Sequence, residues 1–402
     1  MSETALATPE FSAAGRPAGR LRRRNWPAII AWAVVLLILV LLPLYLPPGL
    51  LSAGQYVMVG AVGAIGLTLV FGQAGQLSLA HAFFLLVGGT AYSVLAGETT
   101  QAGAERIVGF GWPPLLALIG AVVITALFGL AFAPVAGRLK GIYLGIASLA
   151  LVYIGFYLGR ALPALTGGAS SGRNPEPFSL FGFPFTNEGD IALFGVPLRQ
   201  PERLWYLFLV VLVIGYLLAA GAMRGRVGRA WRAVRDHEAA AAAMGVNVLR
   251  AKAVAFAVSA AYAGLAGVLL VLWYGLLKPD ESEFGNYGLN TSIAFLAMVL
   301  IGGLGSIPGA VAGALIVWGS QQILTLFAAD LGLGTALSGF SPTVISLYVY
   351  GLAVIAVVLF EPGGLAAIGR NTVAALRGRR RSDMDSSGAS GRRSAPPGKD
   401  GK

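Results

Sequence analysis

Long apolar runs separated by short polar connections fill the chain from residue 27 to residue 360. Because a helix needs about 20 apolar residues to cross a bilayer, runs of this length predict transmembrane helices. The pattern therefore predicts an all-α, polytopic helical membrane protein with about 10 transmembrane helices. The predicted spans are 27–46, 51–71, 78–96, 113–136, 141–159, 204–222, 252–275, 289–304, 308–328 and 342–360.

The composition agrees with a membrane protein. Hydrophobic residues make up 56% of the 402 residues and charged residues only 12%, whereas soluble proteins carry about 25% charged residues. The chain has no cysteine and only two histidines, so disulfides, thiolate metal sites and histidine metal clusters are excluded. No metal site and no bound cofactor are predicted for this chain.

The distribution of Lys and Arg predicts the orientation of the spans. With the N-terminus inside, all but six of the 29 basic residues fall in or beside the cytoplasmic segments. The positive-inside rule therefore favours an N-in, C-in topology. Basic residues gathered at loops and tails indicate topology rather than nucleic-acid binding. The six basic residues of the outside loops are Arg106, Arg160, Arg173, Arg199, Arg203 and Lys278.

Three segments follow from this topology. Residues 1–26 are a basic cytoplasmic tail, and the apolar run after them is a retained span because it lacks a small-residue cleavage site. Residues 27–369 form the transmembrane domain. Residues 370–402 are basic and rich in Ser, Gly and Pro, a composition typical of a disordered tail.

The spans contain almost no ionisable side chains. No Asp, Glu, Lys or Arg lies near the middle of a predicted span, which argues against a proton-driven carrier. Sodium coupling through carbonyl and hydroxyl groups remains open. Neither a catalytic constellation nor a P-loop occurs. The chain is therefore predicted not to be an enzyme, with no catalytic residues.

Two glycine-broken segments carry most of the polar residues near the spans. They read FGQAGQLSLAHAFF (71–84) and LIGGLGSIPGA (300–310). They are either discontinuous helix ends that face a cavity or ordinary cytoplasmic turns. His81 by itself is more typical of a hydrogen-bonded packing residue than of a proton relay. The candidate residues of a translocation pathway are Gln73, Gln76, Ser78, His81, Asn290 and Thr291.

Glycine pairs four residues apart predict tight helix packing in the membrane; the pairs are Gly141 and Gly145, Gly155 and Gly159, and Gly309 and Gly313. The longest outside loop, 160–203, is rich in Gly, Pro and Phe. It is either a surface excursion with turns or part of a landing surface for an external partner.

The central loop 223–251 is longer than a turn requires. Seven basic residues between Arg224 and Lys252 place it in the cytoplasm. Residues 230–244 have a helix-forming composition, Arg232 and Asp236 stand four apart, and Arg235 and Glu238 stand three apart. Gly245 is placed to end this helix. Its small residues suit a docking ridge for another protein, and the alternative is a solvated interfacial helix without a partner.

The loop resembles the coupling loop of ABC importer permeases of the branched-chain amino acid (LivM-type) family. The family pattern falls on Gly228, Arg229, Ala233, Arg235, Glu238, Ala240, Ala241 and Gly245. This Gly comes one residue later than in the general importer motif E-A-A-x-x-x-G, as in the branched-chain group. Further segments resemble the family in order, namely GLTLVFGQAGQLSLAHAFF (66–84), LTGGASSG (165–172), IGGLGSIPGAVAGA (301–314) and LFEPGGL (359–365).

The resemblance implies a permease subunit of an ATP-driven importer in a bacterial inner membrane, with an amino acid substrate. It implies four kinds of partner: two ABC ATPase subunits, a second homologous permease, an external or periplasmic solute-binding protein, and the lipid bilayer. ATP and Mg²⁺ would be bound by the ATPases. The residues expected to couple this chain to them are Gly228, Arg229, Arg235, Glu238, Ala241 and Gly245.

Other functions remain open on the sequence. A permease of the same family could carry urea or short amides. A self-sufficient channel or a sodium-linked facilitator would need no partner, and a membrane scaffold would not transport at all.

Overall fold

The structure is a computed structural model that describes residues 26–102, 105–180, 182–187, 192–193, 196–279 and 287–327, and the positions 348, 351–352, 355 and 365–366. It is mainly helical. The helices are α1 Trp26–Leu41, α2 Pro48–Leu67, α3 His81–Ala96, α4 Pro114–Arg138, α5 Ile142–Ala161, α6 Pro163–Thr166, α7 Gly168–Ser171, α8 Gln200–Arg224, α9 Arg226–Asp236, α10 Glu238–Ala243, α11 Val248–Tyr274, α12 Leu289–Gly302 and α13 Ile307–Phe327.

Three small antiparallel hairpins lie in the connections between helices. Strand β1 Thr100–Ala102 pairs with β2 Glu105–Ile107, in the register that sets Gln101 opposite Arg106. The other two pair β3 Ser179–Leu180 with β4 Phe183–Pro184, and β5 Ala192–Leu193 with β6 Val196–Pro197.

Nine of the ten predicted spans coincide with helices. Six helices of the described chain are long and apolar enough to cross a membrane, and α1, α3 and α12 are shorter apolar helices. The tenth span, 342–360, lies almost entirely outside the described residues. The protein is thus a multi-pass helical membrane protein, while the count of ten and the N-in orientation stay predictions. The six longer helices are Pro48–Gln73, Pro114–Arg138, Ile142–Ala161, Gln200–Arg224, Val248–Tyr274 and Ile307–Phe327.

The first 45 residues form a unit of their own. Its helix α1 starts with a proline in the first turn, where the missing N–H removes no helical hydrogen bond. Apolar side chains such as Leu37 and Ile38 are exposed on this helix. The predicted tails 1–26 and 370–402 lie outside the described residues, apart from Trp26.

Two helices form the centre of the second unit, which starts at Leu46. Most residues of α2 and α11 are buried. The two helices run antiparallel, because Tyr56 stacks near Trp273 with ring centroids 4.8 Å apart while Gly66 faces Tyr262. By contrast, most residues of α4, α5 and α8 are not buried, and each helix exposes several large apolar side chains, as expected of helices that face lipid or another subunit.

The directions of the remaining helices follow from specific contacts. Helix α4 runs antiparallel to α3, because Phe128 lies 5.9 Å from Phe83 while Gly120 lies against Leu95. It is also antiparallel to α11, on which Thr125 packs at Gly264. Helix α13 runs antiparallel to both α2 and α12. The contacts that set its direction are Trp318 on Gly60, Leu326 on Gly49, Gly309 on Gly302 and Gly313 on Met298.

The close approach of helix backbones that glycine pairs predict is found for Gly309 and Gly313. Gly309 and Gly313 lie against the backbone of α12, while Gly155 and Gly159 lie against Phe83 and Pro279. For Gly141 the prediction was wrong. It has a φ of 57° and nothing within 4 Å of its β-carbon position, so it serves as the N-cap of α5 rather than as a packing site.

Candidate functional site

The central loop folds as two helices, not as the single helix predicted over 230–244. His237 adopts an extended conformation (φ −159°, ψ 102°) between α9 and α10. Its ring nitrogen Nδ1 accepts a hydrogen bond from the Ala240 N–H at 3.3 Å and caps α10. Gly245 ends α10 as predicted, in a left-handed conformation with a φ of 85°.

The apolar side of α9 fixes the loop to the helix bundle. Trp231 is buried, and its indole N–H donates a 3.0 Å hydrogen bond to the carbonyl of Ala251 in α11. Val234 is buried one turn further on. An indole gains from such burial because its apolar rings are covered while its N–H keeps a partner. The helix therefore cannot move independently of the start of α11.

Glu238, the first residue of α10, is held by two lysines. Its carboxylate lies 2.7 Å from Lys140 Nζ and 2.6 Å from Lys252 Nζ. The Lys252 side chain is 1% exposed and that of Glu238 is 26% exposed. Burial alone would raise the pKa of the Glu238 carboxyl, but the two lysines outweigh this effect and lower the pKa below its ordinary value.

Charged side chains that stand three or four residues apart in the central loop bind other partners. Arg235 pairs with its neighbour Asp236, and Glu238 lies against Lys140 and Lys252. The break at His237 separates Arg235 from Glu238, so that helical spacing no longer brings these two side chains together.

Two arginines of α9 bind the end of α2. The last turn of that helix, Thr68–Gln73, is π-helical, which frees backbone carbonyls from the regular α pattern. Arg235 donates to the carbonyl of Gly72 at 2.8 Å. Arg232 donates to the side-chain oxygen of Gln73 at 3.2 Å and to the Met223 carbonyl at 2.9 Å.

Close backbone approaches complete this contact. Gly75 has a φ of 68°, and a β-carbon there would lie 2.6 Å from Cγ of Arg235. A β-carbon on Gly72 would lie 2.7 Å from the α-carbon of Gly305. The side-chain amide of Gln73 also donates to the Gly305 carbonyl at 3.0 Å. The two glycine-broken segments of the sequence therefore meet each other beneath α9.

The other predicted coupling residues have distinct surroundings. Gly228 lies against the backbone of Met223, and Arg229 donates to the Arg224 carbonyl at 3.3 Å. Ala241 is buried. No atom lies within 4 Å of a β-carbon at Gly245, and the adjacent Met244 is 85% exposed. The outer surface of α10 is thus open around Met244.

The predicted pathway residues divide into three groups. Gln73 belongs to the contact with α9 described above. Gln76 and Ser78 are buried in the irregular stretch 74–80, where Gln76 donates to the Ala74 carbonyl at 3.1 Å. His81 and Thr291 are buried at the starts of α3 and α12, whereas Asn290 is exposed.

Two lysines that the sequence did not single out complete the surroundings of Glu238. Lys140 and Lys252 were counted only as topology charges, because no spacing links positions 140, 238 and 252. Gly305 and Ser292 lie in or beside polar segments of the sequence, but their contacts come from the fold. The Ser292 hydroxyl accepts a hydrogen bond from the Ala82 N–H at 3.1 Å.

The loop at the opposite end of the bundle is fixed to the helices. Arg173 is buried and exchanges two backbone hydrogen bonds with Leu277, of 2.8 and 2.7 Å. Its guanidinium group donates to the Val108 carbonyl at 2.6 Å. These contacts hold the segment 165–172 against the ends of α3 and α11. A partner for this loop remains a prediction.

Comparison with known proteins gives a family match over most of the chain. The family described as "Branched-chain amino acid transport system / permease component" matches residues 50–358. The chain is 30% identical to the high-affinity branched-chain amino acid transport system permease protein LivM of Escherichia coli K12, over 73% of this chain and 68% of that protein.

Two further relatives carry related names. The permease protein BraD of Pseudomonas aeruginosa is 28% identical over 79% of this chain and 93% of its own length. The permease protein LivH of Escherichia coli K12 is 28% identical over 64% of this chain and 79% of its own length. No solved structure matches the chain significantly.

Proposed function

Because the chain belongs to the branched-chain amino acid transport system permease component family, we propose that it forms half of the translocation pathway of an ATP-driven importer. The substrates are branched-chain or other amino acids. Relatives named as branched-chain amino acid permeases support this substrate class. The chain is a transport subunit and not an enzyme.

A second, homologous permease supplies the other half of the pathway. The chain is similar both to LivM and to LivH, which are named as permease proteins of one kind of transport system in one organism. The exposed apolar faces of α4, α5 and α8 offer surface for a subunit as well as for lipid.

Two ABC ATPase subunits bind ATP and Mg²⁺ and act on α9 and α10 from the cytoplasm. The observation that supports this role is that α9 and α10 bind three separate parts of the bundle. The contacts are made by Arg235, Arg232, Glu238 and Trp231. A push on α10 therefore reaches the α4–α5 connection, the start of α11, the end of α2 and, through Gln73, the α12–α13 turn.

The proposed topology places this linkage in the cytoplasm of a bacterial cell with the chain in the inner membrane. The basic residues of α9 agree with that orientation, because Lys and Arg are enriched in the cytoplasmic loops of membrane proteins. A solute-binding protein then delivers the amino acid to the opposite end, where Arg173 and Leu277 hold the loop.

Disulfide trapping tests the coupling surface directly. The chain has no cysteine, so Met244→Cys gives a single reactive site on the exposed surface of α10. We expect it to cross-link to cysteines placed in the groove of an ATPase subunit, with a yield that changes with ATP. Leu218→Cys, on the exposed apolar face of α8, is the control. Absence of any ATPase adduct at Met244 in membranes with an assembled complex would refute the coupling role.

A further inference from the structure

Two membrane helices are too short to cross the bilayer. At 1.5 Å per residue, the 16 residues of α3 and the 14 residues of α12 extend about 24 Å and about 21 Å. The hydrocarbon core is about 30 Å thick. Each of these helices therefore ends or begins inside the bundle.

These two helices begin side by side. The Ala82 N–H in the first turn of α3 donates to the Ser292 hydroxyl in the first turn of α12, at 3.1 Å. Yet α3 runs parallel to α11 and α12 runs parallel to α2, so the two helices leave this point in opposite directions. Their N-termini therefore meet at one place.

The meeting point lies far from both ends of the helix bundle. The His81 and Phe295 rings are 5.6 Å apart, and Phe295 packs against Gly63 of α2. Along the helical run Pro48–Gln73, Gly63 is about 22 Å from the first residue and about 15 Å from the last, at 1.5 Å per residue. The helix starts are thus far from both membrane surfaces.

Two polar side-chain atoms at this point have no hydrogen-bond partner. The N-cap residues of α3 and α12 are Ala80 and Gly288, and neither supplies a side-chain cap. The first N–H groups of a helix carry partial positive charge. His81 is 1% exposed, and both of its ring nitrogens are buried without a hydrogen-bond partner.

A buried imidazole that makes no hydrogen bond costs stability, because its desolvated nitrogens gain nothing in return. The helices that surround it offer it no acid, since α2, α3, α11 and α12 contain no Asp or Glu. Packing alone would be served better by Leu or Phe at this position. The unpartnered ring nitrogens of His81 are explained if a ligand with acceptor oxygens enters the site during transport.

We propose that the first turns of α3 and α12, with His81 beside them, bind the α-carboxylate of the amino acid in the middle of the bundle. The inference rests on the proposed function and names where the substrate is held. The carboxylate accepts hydrogen bonds from N–H groups of the first helical turns and from the His81 ring, and Thr291 lies in the same first turn of α12. Neutral urea or a short amide would gain much less from the two positive helix ends.

Substitutions in the reconstituted importer, with ATPases, second permease and binding protein present, test the site. His81→Leu keeps the volume and removes the unpaired nitrogens, so we expect the folded state to be retained. With the binding protein at a saturating concentration, the rate of amino acid uptake should fall by about tenfold or more. This is the change expected when one hydrogen bond to a charged group is lost. His81→Asn retains a donor and should recover part of the rate. Wild-type uptake by His81→Leu would overturn the site.

A fixed carboxylate at the same place provides an opposite test. Asn290→Asp puts a negative charge in the first turn of α12, which favours the helix but repels a substrate carboxylate. We expect uptake to be lost while the variant still assembles with the other subunits, as size-exclusion chromatography of the complex measures. Gln101→Glu makes the same amide-to-acid change at an exposed position of the hairpin β1–β2 and should leave uptake unchanged. Equal uptake by Asn290→Asp and Gln101→Glu would contradict the proposal.

Photolabelling of the assembled importer with a diazirine analogue of leucine locates the site independently of transport rates. Labels within 78–84 or 289–295 that excess leucine suppresses and leucinamide does not would support the proposal. Labels elsewhere in the chain, or equal competition by leucinamide, would overturn it. Failure of the wild-type importer to take up any amino acid with ATP would instead refute the proposed function, and the labelling would still decide the site.

Discussion

The ammonium group of Lys252, buried at the start of α11, lies 2.6 Å from a carboxylate oxygen of Glu238 at the start of α10. Lys140, in the connection between α4 and α5, binds the other carboxylate oxygen at 2.7 Å. One carboxylate thus joins the proposed coupling helix to two other parts of the bundle. Removing it affects stability and coupling together, and the predictions below separate the two effects.

Glu238→Ala leaves the Lys252 charge buried without its partner, and we expect a loss of stability of about 3–5 kcal/mol. The double variant Glu238→Gln with Lys252→Met removes both charges, and it should recover most of that stability. Thermal unfolding in detergent measures both. Asp236→Asn, at an exposed pair, should cost less than about 1 kcal/mol. A single variant as stable as wild type would contradict the structural role of the pair.

The same double variant tests coupling apart from folding. It retains a stable bundle but has no ionic link from α10 to Lys140 or α11. We expect it to insert normally and to hydrolyse ATP in the complex with little uptake per ATP. Glu238→Arg is a poorer test because it places a like charge beside Lys252. Normal uptake per ATP by the double variant would show that the ion pairs are not part of the coupling.

Acid should weaken this link in a defined direction. The folded state lowers the pKa of the Glu238 carboxyl, so the pair stabilises the fold fully above the ordinary Glu pKa of about 4.3. That contribution is lost as the pH falls below this value towards the folded pKa. Melting temperatures measured from pH 7 downwards should therefore decline more steeply for wild type than for Glu238→Gln. If the melting temperatures of both proteins decline equally with pH, the Glu238 ion pairs do not stabilise the fold.

Gly75→Ala should disturb the contact between α9 and the end of α2. Its positive φ already disfavours a β-carbon by about 1–2 kcal/mol, and that carbon would also lie 2.6 Å from Cγ of Arg235. Gly275→Ala is the matched control, because Gly275 has a similar φ of 68° but nothing within 4 Å. We expect uptake per ATP to fall in Gly75→Ala only. An equal loss of uptake per ATP in both variants would show that backbone strain, and not the contact with Arg235, causes the loss.

Arg235→Lys preserves the charge of α9 but not the fork of donors that reaches both Gly72 and Asp236. We expect uptake to fall several-fold, since the Arg235 side chain is partly exposed and a typical hydrogen bond contributes about 1 kcal/mol. Arg226→Lys, at an exposed position of the same helix, should transport as wild type does. Uptake assays in membrane vesicles compare them, and a loss in Arg226→Lys alone would contradict the assignment.

Much of the helical layout was predictable from the sequence, because a bilayer imposes one local requirement. A segment must be apolar for about 20 residues and must satisfy its own backbone hydrogen bonds. Nine predicted spans therefore fall on helices. The prediction failed for the single helix over 230–244, since no local signal placed a break at His237.

The site depended on contacts that no spacing encodes. Gln73, which was predicted among the pathway residues, binds Arg232, a contact that the sequence did not predict. His81 was expected to be a hydrogen-bonded packing residue. That expectation was wrong for hydrogen bonding, since its ring nitrogens have no partner.

The sequence by itself determined that this chain crosses the membrane several times, and it marked 223–251 as a charged segment between spans. These properties depend on hydropathy and charge within short windows of the chain, and each residue contributes to them independently of the tertiary structure. Only the tertiary structure decided that Glu238 meets Lys140 and Lys252, and that α3 and α12 begin together at His81. Such contacts join positions far apart in the chain, and they form because helix packing, not local preference, brings those positions within hydrogen-bonding distance.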